Sequence, residues 1–179
     1  MMVSSRSLSL LIAPLIATGA TFAAENPGSH QHGHAELQLA ISGQQVELLL
    51  RSPAHNLLGF EHRARTPEQQ QRVDSVALWL NETPLINTPA ASCTLETADL
   101  QSGITGTIED HQHGDHGQHA DFEVIQVLNC PDLGNSDILS TPLIERFPGL
   151  EYLEIAWIGP SGQGAVRLAQ DENRFSLAP

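Results

Sequence analysis

Between residues 35 and 50 apolar side chains fall on every second position. Ala35, Leu37, Leu39 and Ile41 form one run, Val46, Leu48 and Leu50 another, and Ser42-Gly43-Gln44-Gln45 separates them. A period of two belongs to a strand buried on one face, so the stretch predicts a β-hairpin, which Pro53 ends. Ala54 to His62 reads as a connection. Thr66 then has the character of an N-cap, with Pro67 at the first helical position and Gln69 three residues after the cap. Val73, Val76, Ala77 and Leu80 recur at helical spacing on one side, which predicts a helix that ends in the Asn81 to Pro89 stretch. Further strands are expected over 93–103, 120–130, 150–158 and 165–168, with a short helix near Leu143 to Phe147 and a turn at Gly159-Pro160-Ser161-Gly162. Together these elements describe an α+β domain of antiparallel hairpins with one main helix and a short second one.

Ahead of the hairpin, Arg6, the apolar run Leu8 to Ala17 and the small residues around Thr21-Phe22-Ala23 have the three parts of a secretory signal. The run is broken by Pro14 and falls well short of the ~20 apolar residues of a spanning helix. The expected organisation is a signal peptide at 1–23, a mobile histidine-containing tail at 24–34, and a domain at 35–179 whose hairpin tip is 104–119. Export to an oxidising compartment makes Cys93 and Cys130 a disulfide rather than a pair of thiolate ligands. Such a closure stabilises a fold of this kind by roughly 3–4 kcal/mol. An antiparallel ladder in which Cys93 faces Cys130 would set Gly103 opposite Ala120.

Composition changes the picture by what it excludes. The 179 residues are 40% hydrophobic and 16% charged, enough for one core. Acidic residues outnumber basic ones 21 to 8, for a formal charge of −13, and every basic residue is an arginine. A basic face able to neutralise phosphates cannot be assembled, so nucleic acid is excluded as a partner, whereas cations are attracted.

Nine histidines stand out, seven of them in tracts at 30–34 and 111–119. His30, His32 and His34 alternate, so an extended chain projects them to one side. His111, His113, His116 and His119 are spaced more loosely, with Asp121 just beyond. Imidazole suits zinc, copper and nickel, and a tetrahedral zinc site takes three or four donors. Met1 and Met2 leave with the leader, which removes thioether ligands for Cu(I), and zinc fits best. Each tract runs directly into a strand start, at His34-Ala35 and His119-Ala120; strand starts at one end of a sheet would let the tracts share an ion. His55 reads as an isolated surface histidine without a role.

His111-x-His113-x-Asp115-His116 has the spacing of a metallo-β-lactamase-type hydrolase motif. That fold needs further ligands from later strands, and no histidine follows His119. The zinc-protease pattern, a phosphate-binding loop and a dinucleotide glycine pattern are absent, so no enzyme is expected.

With the two tracts, Ser52-Pro53, Gly59-Phe60-Glu61-His62, His119-Ala120-Asp121-Phe122, Phe147-Pro148-Gly149 and Pro160-Ser161-Gly162-Gln163-Gly164, the chain resembles the ZrgA-like family of zinc-regulated periplasmic proteins of Gram-negative bacteria. The resemblance spans nearly all of the chain after the leader. It implies periplasmic zinc binding and an accessory role in zinc acquisition, by buffering or by delivery to an importer or its binding protein. It also makes Glu61 and His62 candidate ligands; packing of Phe60 on His62 is the equal alternative. A second class of function is an envelope interaction module in which histidines sense pH. A metallohydrolase is the third.

Overall fold

The computed structural model describes residues 31–104 and 120–178. The expected signal peptide, His30, and His111, His113, His116 and His119 lie outside the described residues.

Alternation becomes a hairpin where it was expected. β1 (His34–Ser42) pairs antiparallel with β2 (Gln45–Pro53) across a turn in which Gly43 takes a φ of 64°, a value that favours glycine. The stretch after Pro53, read as a connection, folds into a short helix α1 (Ala54–Leu58), closed by Gly59 in the left-handed conformation. α2 (Pro67–Glu82) begins at Thr66, whose side chain accepts a hydrogen bond from Gln69 N, and buries Val73, Val76 and Leu80. β3 (Thr94–Ser102) and β4 (Asp121–Asn129) make the second hairpin, and β6 (Tyr152–Gly159) and β7 (Gly162–Ala169) the third. α3 (Leu143–Arg146) is the short second helix. The fold is α+β, as the pattern requires.

Six strands form one sheet in the order β3-β4-β2-β1-β6-β7. Five strand contacts could all have been antiparallel, but β1 and β6 run parallel, with His34 opposite Tyr152. Periodicity reports which face of a strand is buried and is silent about its neighbour. The three-residue strands β5 (Ile138–Ser140) and β8 (Arg174–Ser176) pair as a separate two-stranded sheet and are too short to leave a period.

Cys93 and Cys130 are joined by a disulfide. The ladder beside it starts in the expected register, Thr94 facing Asn129, and then shifts by one residue at a bulge between Leu95 and Thr97. In consequence Gly103 donates from its N–H to Asp121 O at 3.3 Å, and the expected pairing with Ala120 is displaced.

One face of the sheet carries the core: Leu37, Leu50, Phe122, Val124, Leu128 and Leu153 are all buried. Gln126 lies on the same face and is fully buried, but none of its polar atoms is wasted. Its Nε2 donates to Leu80 O (2.7 Å) and Thr83 O (2.9 Å), and its Oε1 accepts from Leu85 N (3.1 Å), which fastens the end of α2 to β4. The opposite face bears a charged row across neighbouring strands, formed by Glu123, Arg51, Glu36, Glu154 and Arg167.

Candidate metal centre

Register decides which termini share an end of the sheet. β2 is antiparallel to both β1 and β4, so the starts of β1 and β4 lie together, and Pro53 at the end of β2 faces Asp121. The segments that lead into His34 and Ala120 therefore arrive at one end, as shared coordination would require.

The entry to β1 is pinned from several directions. Residues 31–34, read from sequence as the end of a tail, belong to this framework. Gly33, at a φ of 82°, donates its N–H to Asn56 Oδ1 at 2.7 Å. Its carbonyl accepts from Glu151 N and Tyr152 N at 2.7 and 2.8 Å. Asn56, buried on α1, also donates from Nδ2 to His34 O (2.8 Å) and Ser52 Oγ (3.3 Å). One amide thus ties the start of β1 to the end of β2 and to α1.

Held this way, His32 stacks on His55, ring centroids 4.2 Å apart and planes 9° from parallel. His32 Nε2 lies 2.9 Å from Glu61 Oε1. A carboxylate only accepts, so Nε2 carries a proton, and in the neutral ring Nδ1 holds the lone pair. Carboxylates orient metal-binding imidazoles in this manner, leaving the other ring nitrogen for the ion. His55 Nδ1 is buried and has no hydrogen-bond partner among the described residues. Such an atom costs about 1–3 kcal/mol unless something satisfies it. Sequence reasoning gave no sign of the His32–His55 contact: as a lone histidine His55 has no spacing signal, and its partner comes from the other end of a hairpin.

The remaining candidates are dispersed. His34 points to the charged face, its Nε2 3.5 Å from Glu154 Oε2 and without a hydrogen bond. Arg167 donates to Glu154 and holds that carboxyl below the ordinary glutamate range; burial opposes the shift and His34 adds to it. His62 stacks on Phe60 at 5.2 Å and donates from Nδ1 to Arg63 O at 2.8 Å, which is the packing alternative, with Nε2 left as the lone-pair nitrogen. Asp121 opens β4 opposite Pro53. Among the described residues no three of His, Cys, Asp and Glu are grouped to hold a metal ion. The two stacked imidazoles of His32 and His55 by themselves fall short of the three or four donors that zinc takes.

Sheet and imidazole pair together define a small α+β protein with a histidine-bearing end. The chain belongs to the ZrgA family of zinc uptake proteins, whose family model matches residues 29–177. Among curated proteins, none matches the chain. Membership assigns a role in zinc acquisition, in a family that is not a known enzyme family. No helix among the described residues is long and apolar enough to cross a membrane.

Proposed function

We propose that the protein is exported to the periplasm, where it binds zinc through histidines at one end of its sheet and buffers the ion or passes it to an importer. The observation that carries this reading is the orientation of His32 by Glu61 beside the unsatisfied Nδ1 of His55. In this reading Glu61 orients His32 and does not itself ligate. His111, His113, His116 and His119 supply the further donors, since the chain re-enters the fold from them at Ala120, beside the same sheet end. His30, His34, His62 and Asp121 are the candidates for a second ion. Incomplete coordination by the folded part gives moderate affinity and easy release, which suits a carrier better than a structural site.

Zinc titration by calorimetry, with metal analysis after dialysis at neutral pH, tests the reading. At least one ion per chain is expected. Less than one in the wild type, or unchanged affinity when His32 and His55 are both replaced by alanine, would overturn it.

A further inference from the structure

A groove of about 670 Å³ runs beside the imidazole pair and shares only His55 with it. Its lining comes from α1, from one side of α2 and from the turn after α3, and it includes His55, Arg72, Val76, Arg146 and Phe147. The Phe147-Pro148-Gly149 motif forms one wall. A Cβ on Gly149 would fall 2.6 Å from Asn56 O, so only glycine lets this turn lie against the backbone of α1. The wall is therefore built in, and zinc coordination gives no reason for it.

Two arginines of a chain that has only eight basic residues face this groove. On the charged face of the sheet two arginines are spent on carboxylates: Arg51 pairs with Glu123 and Arg167 with Glu154. Arg72 and Arg146 have no such partner among the described residues. Arg72 uses one of its five donors, from Nη1 to Leu58 O at 3.0 Å. Arg146 lies over the rings of Trp79 and Phe147, 5.8 and 5.5 Å from their centroids. These cation–π contacts hold the guanidinium beside the two rings without using its N–H groups, which stay available to a ligand. Glu68 lines the same groove and opposes an anion, so two cations stand against one carboxylate.

A guanidinium fork matches the paired oxygens of a carboxylate or a phosphate. Val76 and Phe147 supply apolar surface that an inorganic ion cannot use and a carbon skeleton can. The volume falls within the ~300–1,000 Å³ of small-molecule sites. The formal charge of −13 repels anions at long range, but beyond about 8 Å physiological salt screens it, while the two arginines act at contact. We propose that the groove binds a small polycarboxylate, with Arg72 and Arg146 gripping its carboxylates and Val76 and Phe147 beneath its carbon chain. This binding is independent of zinc.

Citrate is the probe, titrated by calorimetry into chelator-treated, zinc-free protein at neutral pH. Saturable binding at one site is expected. R146Q, whose side chain touches only two rings, should weaken it about tenfold, the loss expected for a charge-assisted hydrogen bond. R72Q should do the same, and E68Q should strengthen binding about twofold or more. Inorganic phosphate should bind at least about tenfold more weakly than citrate. R146Q keeps the test decisive if R72Q fails to fold. Absence of saturable citrate binding, equal affinity in R146Q and wild type, or phosphate binding as tight as citrate would overturn the proposal. Because metal is absent throughout, none of these outcomes touches the zinc reading.

Discussion

His32 and His55 are stacked face to face, 4.2 Å between centroids, although one enters the sheet and the other leaves it. The contact spans a whole hairpin, and its alignment depends on two side chains outside the ring pair. Glu61 sets the rotation of the His32 ring, and Asn56 sets the turn from which that ring projects.

Glu61→Gln is therefore expected to weaken zinc binding by about ten-fold, at the lower end of what losing an orienting carboxylate costs. The fold should be unaffected, because Glu61 is outside the core. Zinc titration with a parallel thermal melt checks both halves, and unchanged affinity would remove Glu61 from the site.

Replacing His111, His113, His116 and His119 together by alanine should remove half or more of the bound zinc and leave the melting temperature of the metal-free protein unchanged. Ser102 and Phe122, the last described pair of the β3–β4 ladder before these histidines, lie at the opposite end of the ladder from the Cys93–Cys130 disulfide. Metal analysis of the dialysed variant decides it. Full retention would shift the donors to His30, His34 and His62.

Zinc must displace protons from imidazole, whose ordinary pKa is ~6.5. A site built from histidine should weaken steeply as pH falls through that value, whereas carboxylate ligation would persist to about pH 5. Titrations between pH 7.5 and 5.5, chosen as roughly one unit either side, distinguish the two.

Asn56→Ala should lower stability by about 2–3 kcal/mol, since it strands the N–H of Gly33 and the carbonyl of His34 at once. Denaturant unfolding measures the loss. Zinc affinity should fall as well, through misplacement of His32, and preserved affinity would show that the turn holds without Asn56.

Glu154 sets a pH dependence of known sign. Its folded pKa is depressed, by the hydrogen bond from Arg167 above all, so its contribution to stability is present above the ordinary glutamate range and fades as pH falls through the lowered value. Glu154→Gln should flatten the stability curve on the acid side, between about pH 4.5 and the lowered value. The carboxylate is 41% exposed, so the effect is small and salt should reduce it. An identical acid limb in the variant would contradict this.

What could be read from the chain divides by the range of the interaction. The β1–β2 hairpin, the Thr66 cap of α2 and the disulfide all announce themselves locally, through alternation, residue type and compartment. The bulge at Leu95/Thr97 does not, because every position of β3 is half-buried or exposed and no apolar period pins its register. The His32–His55 stack escaped for a related reason, because a lone histidine gives no pattern and only the fold supplies its neighbour. Glu61 was legible through family resemblance as a candidate ligand, and its bond to His32 could not be read from the sequence.

The parallel join between β1 and β6 also bears on how the molecule comes together. β2 can zip onto β1 as soon as the turn at Gly43 forms, but the other side of β1 waits for Tyr152 and the residues after it. Until β6 arrives, in the last sixth of the chain, β1 offers an open hydrogen-bonding edge. Contacts this distant in sequence slow folding, and such an edge is a template for pairing with another chain. A fragment that stops before β6 should aggregate rather than fold, even though it contains the histidine tracts, the main helix and the disulfide.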